Sequence, residues 1–295
     1  MCNYSYDGDL NFRQGVFDKF NLSIGQSMAE SPINFKQACI KRASEIGREH
    51  DLAFALSGGI WSHVTYMSFV EAGYKLPVKI LNLPDSMNKH DVENAKNLAN
   101  YVGADIEMVN VNLKDEVISY YVEAGTKYQT YSFADALMAK VAEIKKTNLF
   151  IADSIVFKRN VEPGWRLILD EGSNFYYNRF NHFNKHKIFN NFFTGSSELL
   201  QSFTNNSVVQ DIFNDRIKNK LSTNTSIKRI LASESFELPD RMFHRFTFGD
   251  FLPEFSKKLN MQITRKQGYK RRIITIPQEQ LNASLMKGGL SCSFI

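Results

Sequence analysis

The stretch Leu52-Ala53-Phe54-Ala55-Leu56-Ser57-Gly58-Gly59-Ile60-Trp61-Ser62 decides how this chain is read. Its apolar half has the length and character of a short buried strand, and the strand ends in Ser-Gly-Gly and turns into a helix. Glycines let a backbone approach an anion closely, and the first turn of a helix offers N–H groups at its positive end. Ser57 and Ser62 add hydroxyls. The pattern predicts a phosphate cradle.

Working outward, Phe35, Ala38, Cys39, Ala43 and Ile46 recur at helical spacing, which predicts a helix over 34–47 ahead of the strand. Behind the cradle, Val64, Met67 and Val70 share a helical face that stops at Gly73, a C-cap residue. Strands are expected at 78–83, 106–111 and 148–152, and helices at 89–101, 114–124 and 132–146. Apolar strands alternating with helices predict an α/β fold, a parallel sheet with helices on both faces. Such sheets bind ligands beyond the carboxyl ends of their strands, where Ser57, Asp85 and Asp153 fall.

The rest of the chain is less regular. Residues 1–30 are polar and weakly patterned and read as an N-terminal arm. After about residue 160 the alternation fades, and an α-rich C-terminal lobe is expected over 161–295. A helical region is expected to start near Ser196, and Ile273-Ile274-Thr275-Ile276 reads as a short β-like run.

Composition bounds the function. With 295 residues, 43% hydrophobic and 23% charged, the chain has the makeup of an ordinary globular protein with a real core. A net charge of +5 is too slight to imply nucleic-acid binding on its own. No stretch approaches the roughly 20 apolar residues of a membrane span. The N-terminus lacks the basic and apolar regions of a signal peptide, so a cytoplasmic protein without membrane contact is expected. The three cysteines are far apart and outside any C-x-x-C pair, which supports neither a disulfide framework nor a zinc knuckle. The 24 Phe and 12 Tyr, with abundant Asn and Lys, suit an AT-rich genome such as that of a phage or a low-GC bacterium.

The strand, the Ser-Gly-Gly loop, the helix and the second strand with its Pro84-Asp85 break resemble the PP-loop family of ATP pyrophosphatases over roughly residues 34–160. Residues 31–160 would then be the PP-loop nucleotide-binding domain. Within the family the synthetase domain of asparagine synthetase looks nearest, helped by Tyr131-Ser132-Phe133-Ala134-Asp135-Ala136. That resemblance implies ATP and Mg²⁺, activation of a small-molecule carboxylate as an acyl-adenylate, pyrophosphate release, and attack by an amine. By position, Ser57, Gly58, Gly59 and Ser62 would hold pyrophosphate. Asp153 would serve catalysis and Mg²⁺ together with Asp85, and Lys270 would match the family's C-terminal lysine. Cys2 does not carry over as a glutaminase nucleophile, because only about fifty residues precede the first strand.

One position departs from the family pattern. Where S-G-G-x-D-S has an acid, this chain has Trp61, which supplies no oxygen to a metal. Its ring either fills the phosphate site, stacks on a ligand there, or lies against a neighbouring helix. Two alternatives to the ligase therefore stay open: a catalytically silent scaffold or binding protein, and a PP-loop enzyme modifying tRNA or a nucleobase. The aromatic and basic run 174–187 bears on the last, since Tyr176, Tyr177 and Phe180 could stack on single-stranded nucleic acid or simply pack inward. His63 reads as a solvent-exposed helix residue in reach of a phosphate.

Overall fold

The apolar strand before Ser57 lies at the centre of a five-stranded parallel sheet. The computed structural model describes residues 2–6, 20–24, 33–49, 51–83, 86–111, 123, 133–154, 156–159, 165–170, 176–177, 180–193, 196–204, 206–207, 235–242, 273–277 and 290–294. Its strands are β1 (Cys2–Tyr6), β2 (Phe20–Ile24), β3 (Ala53–Ala55), β4 (Val78–Asn82), β5 (Ile106–Asn110), β6 (Leu149–Ile151), β7 (Val156–Arg159), β8 (Trp165–Asp170), β9 (Ile188–Phe189), β10 (Ile273–Pro277) and β11 (Leu290–Phe294). Its helices are α1 (Phe35–Glu49), α2 (Ile60–Glu71), α3 (Lys89–Tyr101), α4 (Phe133–Lys145) and α5 (Ser197–Thr204).

The central sheet runs β5-β4-β3-β6-β9, with every pair parallel. Period-two alternation sorts its side chains into two cores. Phe54, Leu56, Val78, Ile80 and Phe150 join α1, α2 and α3 on one face. Ala53, Ala55, Val109 and Leu149 join α4 on the other. Both faces are covered, so β3 and β6 are apolar throughout, while β4 and β5 toward the edge carry the paired Lys79 and Glu107. The expected α/β sheet is what the structure shows. The helix expected over 114–124 lies, apart from residue 123, outside the described residues.

Helix α2 is buried from Trp61 through Phe69, without a break. It packs against α1, which in turn packs against α5. Phe54 meets Tyr66 at 5.1 Å and Phe69 meets Phe150 edge-on at 5.3 Å between ring centroids. The Tyr66 hydroxyl donates to the Leu76 carbonyl at 2.7 Å, so this buried polar group is satisfied. Gly73, at φ +87°, ends the turn after α2 as the sequence predicts.

The structure adds two small antiparallel sheets that the sequence reading did not anticipate. One is β1-β2-β11, which joins the first residues of the chain to the last, with Phe20 opposite Phe294 and Leu22 opposite Cys292. The arm over 1–30 therefore contains two strands. The other is β10-β8-β7, in which the β-like run 273–276 falls on β10. Beyond residue 160, α5 begins at Ser197 as expected, but the described elements there also include strands, and much of that segment lies outside the described residues. The edge strand β9 of the central sheet also comes from beyond residue 160. Among the described residues no helix is long and apolar enough to cross a membrane.

Candidate phosphate cradle

Strand β3 ends two residues before Ser57, and α2 begins at Ile60, so the loop between them is as short as the sequence implies. Gly58 holds φ +73°, a conformation that disfavours any other residue. A Cβ there would lie 2.1 Å from the Asp91 carbonyl oxygen in the first turn of α3. Glycine is thus required twice, by the turn and by the close approach of α3. Gly59 is the N-cap of α2 and provides no side-chain cap, which leaves the first-turn N–H groups for an anion.

The two serines divide the work. Ser57 is exposed. Ser62 is buried, and its hydroxyl oxygen accepts a hydrogen bond from the Ser57 N–H at 3.1 Å. Ser62 therefore braces the loop from beneath, where the sequence suggested a direct phosphate donor.

Trp61 is a core residue. Its ring lies 4.6 Å from Phe193, 6.1 Å from Phe203 and 6.5 Å from Phe35. Of the placements expected for it, the structure shows the one against the neighbouring elements, not the one that fills the cradle or stacks on a ligand. Asp153 reaches the same place from the other side: it follows β6, and its Oδ1 accepts the Phe193 N–H at 2.8 Å. That bond holds the Phe192–Phe193 turn against which Trp61 packs. Asp85 and Lys270 lie outside the described residues. Among the described residues no group of three or more His, Cys, Asp or Glu side chains could hold a metal ion. Trp61 supplies no ligand to a metal, and Asp153 spends one oxygen on the Phe193 amide, which leaves Oδ2 as the carboxylate oxygen that would face a Mg²⁺ carried by the phosphates.

Beside the loop, at the carboxyl ends of β3 and β4, is a cavity of about 150 Å³ lined by Ser57, Leu81, Leu83, Asn88, Asp91, Val92 and Met138 among others. The pocket opens to solvent at the loop, and its inner part has room for a flat ring. Asn88 shapes it. Its Oδ1 accepts the Leu83 N–H at 3.0 Å and its Nδ2 donates to the Leu81 carbonyl at 2.8 Å, which ties the end of β4 to the start of α3. Lys79, also in the lining, pairs with Glu107, which accepts a second hydrogen bond from Lys145 at 2.6 Å. The hydrogen bonds from Lys145 and then Lys79 hold the Glu107 carboxyl below its usual range.

Two further residues at the loop were not legible as site residues. Arg241 donates from Nη2 to the Gly58 carbonyl, across 183 residues of sequence. His63, expected at the surface, is fully buried, because α2 is enclosed on all sides. Neither of its ring nitrogens has a hydrogen-bond partner among the described residues. Burial, and then the positive charge of Arg241, lower its pKa to about 3. Of the two placements left open for the aromatic run 174–187, Tyr176, Tyr177 and Phe180 take the inward one, and Phe183 is exposed.

No family model matches the chain, and no curated protein matches it. Solved structures are similar to it at low identity, three of them as follows. A predicted subunit of tRNA methyltransferase from Methanocaldococcus jannaschii shares 12% identity, covering 75% of this chain and 89% of its own, with a TM-score of 0.35. NMN synthetase from Francisella tularensis shares 17%, covering 88% and 94%, with a TM-score of 0.34. The NH3-dependent NAD synthetase from Campylobacter jejuni shares 11%, covering 72% and 100%, with a TM-score of 0.31. At these values the likenesses decide neither the family nor the activity.

The position of Trp61 has a measurable consequence. Trp61→Asp removes a core ring and buries a carboxylate among phenylalanines, so it should destabilise the protein by at least about 3 kcal/mol in urea unfolding. Unchanged stability would mean that the ring is not a core element.

His63 has a second. Its pKa is depressed on folding, so the unfolded chain binds the extra proton between about pH 6.5 and 3. The histidine's contribution is complete above pH 6.5 and is lost as pH falls, with a slope approaching about 1.4 kcal/mol per unit. The His63→Met variant should flatten that part of the stability profile relative to wild type; identical profiles would contradict the assignment.

Proposed function

We propose that this chain is an ATP-binding protein of PP-loop type that forms an adenylate and releases pyrophosphate, as a ligase does. The observation that carries the reading is the opening at Ser57–Gly59: an uncapped helix N-terminus and an exposed serine beside a ring-sized cavity. Phosphates would lie on the amides of α2 and the adenine in the cavity, at the strand ends where such folds bind ligands. The rival reading of a silent scaffold had two grounds: Trp61 closing the cradle, which the packing of its ring in the core removes, and the missing acid at position 61, which still favours it.

In the proposed reaction a substrate carboxylate oxygen bonds to the α-phosphorus of ATP. The bond from that phosphorus to the bridging oxygen breaks, and pyrophosphate leaves with its electron pair. An amine then bonds to the acyl carbon, AMP departs, and the amine's proton passes to a base. The chain's own part in the first step is to orient the phosphates and to stabilise the charge of the leaving pyrophosphate with donors already in place. Mg²⁺, if carried in by the phosphates, would be held by Asp153, with Asp85 as its expected partner, and would neutralise charge on the leaving pyrophosphate.

Calorimetry with ATP and with adenosine tests the reading. The wild-type protein should bind both at millimolar concentration or below. Met138→Trp, which fills the cavity from α4, should weaken both by about tenfold or more. Failure of the wild-type protein to bind either would favour the scaffold.

A further inference from the structure

We propose that Arg241 is a positioning residue that locks the Gly58–Gly59 peptide, keeping the Gly59 N–H, and not the Gly58 carbonyl, on the open side of the loop. That a phosphate meets this N–H rests on the nucleotide-binding reading above; the lock itself stands on the loop's own geometry.

A trans peptide unit is planar, so its C=O and N–H point in opposite directions. Whatever holds the Gly58 carbonyl therefore also aims the Gly59 N–H. The Arg241 guanidinium donates to that carbonyl. On the other side the Gly59 N–H donates to the hydroxyl of the exposed Ser57 at 3.5 Å, a long bond that restrains it only weakly. Arg241 makes further interactions as well. They suit the role, because a lock needs a donor fixed in place and not a charge to spare.

Two adjacent glycines make a lock necessary. Rotation of the peptide between them meets no Cβ on either side, so a flipped arrangement is open to this loop as it would not be to other residues. A flip would turn an acceptor toward the place where an anion needs a donor. The anchor that prevents it comes from residues 235–242 and is built on α3. The Met242 N–H donates to Asn94 Oδ1 at 2.9 Å, and its carbonyl accepts from Asn94 Nδ2 at 3.0 Å. At the other end of that segment Phe236 is buried in the core formed around α1 and α2. The same α3 presses the Asp91 carbonyl on Gly58, so one helix is the frame to which both the loop and Arg241 are fixed.

The test follows the Gly59 amide in ¹⁵N-labelled protein and titrates ATP and adenosine into the wild-type chain, R241M and the double variant G59A/R241M. Without ligand, R241M should displace or broaden the Gly59 resonance. Its ATP affinity should fall about tenfold, as expected when a bond from a charged donor no longer holds the competent state, with adenosine binding kept. Gly59 has φ −74° and room for a methyl group, the nearest atom being Ser57 Oγ at 3.4 Å. Alanine there accepts the present peptide and resists the flipped one, which carries residue 59 toward positive φ. G59A/R241M should therefore regain most of the lost ATP affinity, a recovery that a role through charge alone would not give. An unmoved Gly59 resonance or an unchanged ATP affinity in R241M would overturn the lock, as would a loss that the added alanine does not restore. If R241M does not fold, N94A loosens the anchor and should displace the same resonance; an unmoved Gly59 amide there would overturn the lock equally. A wild type that binds neither ATP nor adenosine would overturn the nucleotide reading, while the ligand-free resonance still decides the lock.

Discussion

The packing of Trp61 against Phe193 fixes the geometry on which the rest of the site depends. An aromatic ring at the second position of α2, enclosed by Phe35, Phe193 and Phe203, sets the rotation of that helix about its axis. With Trp61 turned inward, the Ser62 hydroxyl comes beneath the loop, and Ser57 is left at the mouth of the cavity. Asp153 contributes by holding the Phe193 amide, so the acidic residue after β6 and the tryptophan after the glycines belong to one structural unit. An aspartate at position 61 would have no such partners, and the helix would lose its key.

The same helix explains the charge distribution. Its N-terminus emerges uncapped at Gly59, and α3 presses its backbone on Gly58 so closely that no side chain is tolerated there. Arg241 braces the same loop by donating to the Gly58 carbonyl. In the proposed reading phosphate would lie on amides that are set before the ligand arrives. The pocket beside it, shaped by Asn88, would supply the apolar half of the proposed nucleotide site.

Much of this was legible in the sequence because it is local. Apolar runs bounded by glycine, proline and polar residues located β3, β4, β5 and β6 to within a residue or two, and helical spacing located α1, α3 and α4. Glycine at 58 announced its own backbone. What was not legible depends on partners far along the chain. Phe20-Asn21-Leu22-Ser23-Ile24 and Leu290-Ser291-Cys292-Ser293-Phe294 each alternate as strands do, yet nothing local says that they pair. Arg241 sits in an unremarkable stretch and acquires meaning only through the Asn94 clamp and the Gly58 carbonyl. His63 looked like a surface residue because a single helix does not reveal that it will be covered on every side.

The central claim is that the loop from Ser57 to Gly59 and the first turn of α2 form an open phosphate cradle. Titrating ATP into ¹⁵N-labelled protein and following the backbone amide resonances tests it most directly. The account predicts that the amides of Gly58, Gly59, Ile60 and Trp61 shift first and furthest, with saturation. Amides that stay unmoved there, or shift only elsewhere in the chain, would contradict it.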